Sequence, residues 1–229
     1  AVKPTVDPRF SERLSPADPY QQFNELLTIL SEYNENTDII RAFLSLYHVL
    51  ESFMVKVPIA RLARENAGNI FSIRDFQRLY DSIEKHELKS IEKLFNEDGG
   101  FWKREIFGEK FSTTIENLRQ NFINSVNGDQ ERQVDDFIKK INIKALSEYD
   151  DLKSKPFSAK LYAQLIYKVR CAVVHNKETE HHISYFNLEP GVSHLFNTIF
   201  INPLIHLFAD LLTDNSSPIW YHGQAIKLY

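Results

Sequence analysis

Between Thr37 and Met54 the apolar residues Ile39, Ile40, Phe43, Leu44, Tyr47, Leu50 and Met54 recur at helical spacing, so on an α-helix they share one face. Thr37 and Asp38 precede them as an N-cap, with side-chain oxygens able to accept from the first unpaired backbone N–H groups. A strand has no equivalent of this pattern. The chain also offers little hairpin chemistry: it has seven glycines in 229 residues, and no Asn-Gly or Asp-Gly is flanked by alternating apolar residues. The spacing predicts an all-α helical bundle in a single domain, 1–229.

The same periodicity divides the chain. Residues 1–36 read as a proline-bearing arm followed by a short helix with Phe23, Leu26, Leu27 and Leu30 on its apolar side. Bundle helices are expected over 37–95, where Ser72 caps a helix carrying Phe76, Leu79, Ile83, Leu88, Ile91 and Leu94, and over 156–212, where Pro203 should kink or interrupt the last helix. Residues 101–143 read as an inserted helical pair broken at Asn127-Gly128-Asp129, and 213–229 as a short polar tail.

Composition narrows the function. With 27 Lys and Arg against 31 Asp and Glu, the formal charge of −4 gives no global pull toward a phosphate backbone, so a nucleic-acid site must be a local patch. The single cysteine, Cys171, excludes an intrachain disulfide and a multi-thiolate zinc site, and a reducing cytoplasmic location is expected. No run approaches about 18 uninterrupted apolar residues, so no membrane partner is expected. The absence of a Ser-His-Asp order or a glycine-rich phosphate loop leaves acyl transfer and ATP hydrolysis without support.

A local positive stretch does exist. From Lys153 to Lys177 there are Lys153, Lys155, Lys160, Lys168, Arg170 and Lys177, with no acid among them. Within it, Arg170 and His175 combine a bidentate phosphate ligand with the side chain that exchanges a proton near neutrality. On one uninterrupted helix they would stand roughly 140° apart. Either the helix ends near His175, with Asn176 as its terminator, or two copies of the chain face one shared site.

The string YKVRCAVVHNKETEHH, taken with IIRAFLSLYHVLESFM, resembles the HEPN superfamily (higher eukaryotes and prokaryotes nucleotide-binding), whose helical bundles carry Arg-x(4–6)-His. Arg170 and His175 match that motif at spacing four over the bundle segments, leaving 101–143 unmatched. The resemblance implies a homodimeric, metal-independent endoribonuclease with no cofactor, in a prokaryotic defence, toxin or stress setting. His175 would act as general acid or base, and Arg170 would stabilise the phosphoryl charge as the ribose 2′-OH attacks. DNA lacks that nucleophile and should be inert. Cys171 departs from the polar residue, often Asn, that follows the Arg in the family, which leaves room for a non-catalytic member that binds RNA, a nucleotide or a regulatory protein.

Other residues have supporting parts. Glu51 falls inside the apolar sector of its helix, and a carboxylate there needs a partner; pairing with Arg170 within about 6 Å would orient the guanidinium. Lys168, Lys177, His181 and His182 are candidates for a rim along an RNA path, and Tyr162, Tyr167 and Tyr185 for base stacking. His175, Glu178, His181 and His182 match no zincin order, so a solvated turn is expected in place of a metal site.

Overall fold

The structure is a computed structural model describing residues 4–18, 20–65, 72–82, 86–174 and 188–221, with only the backbone at positions 76, 78, 79, 81 and 82. In chain order the elements are two 3-10 turns (Pro8–Arg13, Tyr20–Phe23), α1 (Asn24–Glu35), α2 (Ile39–Glu65), α3 (Ile73–Ser82) and α4 (Glu87–Phe95). Next come a 3-10 turn (Phe101–Lys103), the strands β1 (Glu105–Ile106) and β2 (Glu109–Lys110), α5 (Phe111–Ser125), α6 (Gly128–Ile141) and α7 (Tyr149–Ser154). They end with α8 (Ala159–Val174), α9 (Pro190–Leu195), a π-helical stretch (Phe196–Ile201) and α10 (Asn202–Thr213). The class is all-α.

Asp38 Oδ1 accepts the Ile40 N–H at 2.8 Å and opens α2. Its buried residues include Phe43, Leu46, Tyr47, Val49, Leu50 and Phe53, spread further round the helix than one face, because α1, α4, α8 and the π-helical stretch all pack against it. Leu44 and Met54, expected inside, are only half-buried. Ser72 and Asp75 bond reciprocally at the start of α3, but the helix expected over 72–95 is divided. His86 is extended (φ −103°, ψ 112°) and starts α4 afresh.

The 101–143 segment shares the single main core. Phe111, Ile115, Phe122, Val134, Phe137 and Ile138 are buried in the same cluster as Phe43, Tyr162 and Phe200, and α6 packs on α9. Gly191 permits that approach, since a Cβ there would lie 2.6 Å from the Gln130 carbonyl oxygen. The segment also contains a hairpin that the sequence did not announce. Glu105 pairs with Lys110 around Phe107 and Gly108, both at positive φ (51° and 86°). Phe107 holds this strained position packed on Phe10, with centroids 4.5 Å apart, under the guanidinium groups of Arg9 and Arg13.

Pro203 interrupts the α-helical geometry without ending the helix: the helical run Pro190–Thr213 is continuous but passes through the π-helical stretch Phe196–Ile201. Proline has no N–H for the carbonyl four residues back, here that of Ile199. The backbone is π-helical just ahead of Pro203, and the buried Tyr162 hydroxyl donates to Ile199 O at 3.0 Å. Tyr162 therefore cannot stack on a base. Tyr162→Phe is expected to cost about 1–3 kcal/mol in urea unfolding by leaving that carbonyl short of a donor; an unchanged midpoint would mean that Ile199 O is served within the helix.

The segments near both ends of the described chain are fastened to the core. Asp210, 2% exposed, receives Arg13 Nη1 at 2.6 Å and Arg104 Nε at 2.5 Å, while Arg104 Nη2 reaches Asp214 at 2.6 Å. Past α10 the expected polar tail instead buries Ile219 and Trp220. Trp220 Nε1 donates to Leu211 O at 3.1 Å, and Arg64 donates to the carbonyls of Ser217 and Trp220. By length and composition, α2 and the Pro190–Thr213 helix (mean hydropathy 1.3 and 1.5) would suffice to cross a membrane. Within this fold 44% and 78% of those apolar windows are buried, so core packing accounts for most of the second and a good part of the first.

Candidate functional site around Arg170

α8 lies along α4 and beside α2, buried through Leu161, Tyr162, Leu165, Ile166, Val169 and Val173. Arg170 stands one turn before Val174, the last described residue of α8, its side chain 19% exposed, and faces both neighbours. Its Nη2 is 3.6 Å from Glu51 Oε1 on α2 and its Nε is 3.5 Å from Glu87 Oε1 on α4. The guanidinium carbon sits 5.4 Å from the centroid of the Tyr47 ring. Tyr47 in turn donates its hydroxyl to the same Glu87 oxygen.

The electrostatics follow from this packing. Burial works against the Arg170 charge, but Glu87, Tyr47, Glu51 and Cys171 together outweigh it and raise the pKa, so the cation is permanent. Burial, reinforced by the bond to Glu87, pushes the Tyr47 phenol well above its ordinary value, and it remains a proton donor across physiological pH. Both contacts to Arg170 exceed the ~2.7–2.9 Å of a charge-assisted hydrogen bond. They are ion pairs at the edge of solvent, each worth roughly 1 kcal/mol or less.

Glu51 and Arg170 are thus brought together, although Glu51 is 38% exposed and not buried as its place in the apolar sector implied. Glu87 was not among the sequence candidates, and Tyr47 was read only as part of an apolar face, not as a partner of Glu87 and Arg170. A signal was there for Tyr47, since it stands four residues before Glu51 on α2 and so meets the same neighbour. Cys171 is half-buried, and its proximity to Tyr167, together with burial, shifts that phenol upward. Lys168 is exposed and roughly 200° round α8 from Arg170, so it does not share that face. His175, Asn176, Lys177, Glu178, His181, His182 and Tyr185 lie outside the described residues. Among the described residues no group of three His, Cys, Asp or Glu is placed to hold a metal ion.

Three of the six bases in the positive stretch are paired with acids that lie outside it. Lys153 pairs with Glu131 at 3.1 Å and Asp150 at 3.6 Å, Lys155 with Asp151 at 2.7 Å, and Arg170 with Glu51 and Glu87. Beside the Arg170 cluster a groove of about 640 Å³ runs between α1 and α2, lined by Glu25, His48, Glu51, Ser52, Lys56 and Tyr221. Glu51 therefore belongs both to the groove and to the ion-pair cluster. No protein-family model matches the chain, and no similar protein is found among curated proteins or solved structures.

Proposed function

We propose that this chain is a HEPN-like, metal-independent endoribonuclease that cuts single-stranded RNA as a homodimer. The observation that carries the reading is the held guanidinium: Arg170 is fixed by Glu87 and Glu51 on α8, and His175 lies five residues on in the sequence. A cation oriented before substrate arrives stabilises charge developing on phosphoryl oxygens without reorganisation during the reaction. His175 takes the proton from the ribose 2′-OH or returns one to the leaving group. The new O2′–P bond forms as the P–O5′ bond breaks, giving a 2′,3′-cyclic phosphate and a 5′-OH. Two subunits supply two Arg–His pairs to one cleft.

One observation favours a second reading. Among the described residues two carboxylates answer this guanidinium, which suits Arg170 as a tie between α2, α4 and α8. The chain would then be a non-catalytic HEPN-like module that dimerises and binds RNA, a nucleotide or a protein partner. Several end-labelled single-stranded RNAs incubated in excess EDTA separate the two. The nuclease yields fragments with cyclic phosphate ends and leaves DNA of the same sequence intact, whereas intact RNA throughout, with binding retained, supports the module.

A further inference from the structure

The two carboxylates share Arg170 unequally. The Glu87 carboxylate is held from two sides, accepting the hydroxyl of the fully buried Tyr47 and lying 3.5 Å from Arg170 Nε. Glu51 comes nearest to Arg170 at Nη2, at 3.6 Å, is the more exposed of the two, and lines the groove with His48, Ser52 and Lys56. We infer that Glu51 occupies the position of a substrate phosphate. It neutralises the Nη2 end of Arg170 until a phosphodiester entering along the groove displaces it, while Glu87, fixed by Tyr47, keeps the guanidinium aimed through Nε.

The exchange is favourable on elementary grounds. An exposed, long ion pair contributes little, whereas a phosphodiester offers Arg two oxygens matched to its planar fork. Glu51 nevertheless stays near the incoming phosphate and repels it, so its charge opposes affinity. Glu87 has the opposite effect, because without it Arg170 loses its aim. Glu51 is therefore a gating residue and Glu87 a positioning residue, and their isosteric amides should change binding in opposite directions. This inference rests on the reading of Arg170 as a phosphate ligand.

The test measures affinity and cleavage separately. Binding of a fluorescent single-stranded RNA, 2′-O-methylated throughout so that it cannot be cut, is followed by anisotropy for the full chain and for Glu51→Gln, Glu87→Gln and Glu65→Gln. Glu65 is exposed, on the same helix and about 21 Å from Glu51 along its axis, so it reports the generic effect of removing one negative charge. Glu51→Gln is expected to tighten binding about 3- to 10-fold, against less than about twofold for Glu65→Gln. Glu87→Gln is expected to weaken binding and to lower cleavage of unmodified RNA about 100-fold. Thermal melts of each variant confirm that the fold is retained. Equal tightening by Glu51→Gln and Glu65→Gln, weaker binding in Glu51→Gln, tightening by Glu87→Gln, or no binding by any form would overturn the inference. Unmodified RNA left intact by the wild-type chain would instead count against the nuclease, while the order of affinities still decides the role of Glu51.

Discussion

Asp210→Ala is expected to lower the free energy of unfolding by about 3–5 kcal/mol, the cost of breaking a buried charge network from one side. The carboxylate is 2% exposed and joins three segments far apart in sequence: the N-terminal turn through Arg13, the hairpin through Arg104, and α10 on which it resides. Its removal leaves Arg104, itself mostly buried, with Asp214 as its remaining carboxylate partner among these residues. Asp210→Asn keeps the shape and part of the hydrogen bonding, so a smaller loss is expected from it. Urea unfolding followed by circular dichroism measures both. A loss under about 1 kcal/mol for the alanine variant would mean that packing of Phe10 on Phe107 holds these segments without help from the charges.

Arg170→Ala is expected to reduce RNA cleavage about 100- to 1,000-fold while changing stability by no more than about 2 kcal/mol. The reasoning separates two roles of one side chain. As a partner of half-exposed carboxylates, Arg170 contributes little to folding; as a cation aimed at a phosphoryl group, it contributes to the transition state. Arg170→Lys should recover only a fraction of the activity. A single ammonium cannot hold Glu87 at one end and a phosphate at the other, as Nε and Nη2 of the guanidinium can. If stability falls by several kcal/mol and cleavage per folded molecule is unchanged, Arg170 is a structural tie and the nuclease reading fails.

The parts of the molecule legible in the sequence are those governed by local periodicity. The cap at Asp38 and the first part of α2 follow from spacing, whereas α2 runs on through Pro58 to Glu65, past the Met54 at which the apolar pattern ended. The approach of Glu51 to Arg170 was legible for a different reason, because a carboxylate in an apolar sector demands a partner. What escaped depends on partners far away in the chain. Tyr47 reaches Glu87 across 40 residues, and Arg64 holds the Ser217 carbonyl across 153. The hairpin escaped because its turn is Phe107-Gly108 and not Asn-Gly, the phenylalanine being held at positive φ by its contacts with Phe10, Arg9 and Arg13. The charge of the basic stretch was legible only in part, because Glu131, Glu51 and Glu87, far from it in sequence, and Asp150 and Asp151, just ahead of it, pair with Lys153, Lys155 and Arg170.

The most direct test of RNA cleavage by the Arg170–His175 pair is a side-by-side digestion in excess EDTA by the wild-type chain and His175→Ala. The substrate is one end-labelled RNA, offered with and without a single 2′-deoxy sugar at the cut site. Cleavage to a 2′,3′-cyclic phosphate by the wild-type chain alone, abolished at the deoxy position, is the predicted result. Equal cleavage by both proteins, or cleavage that ignores the missing 2′-OH, would contradict it.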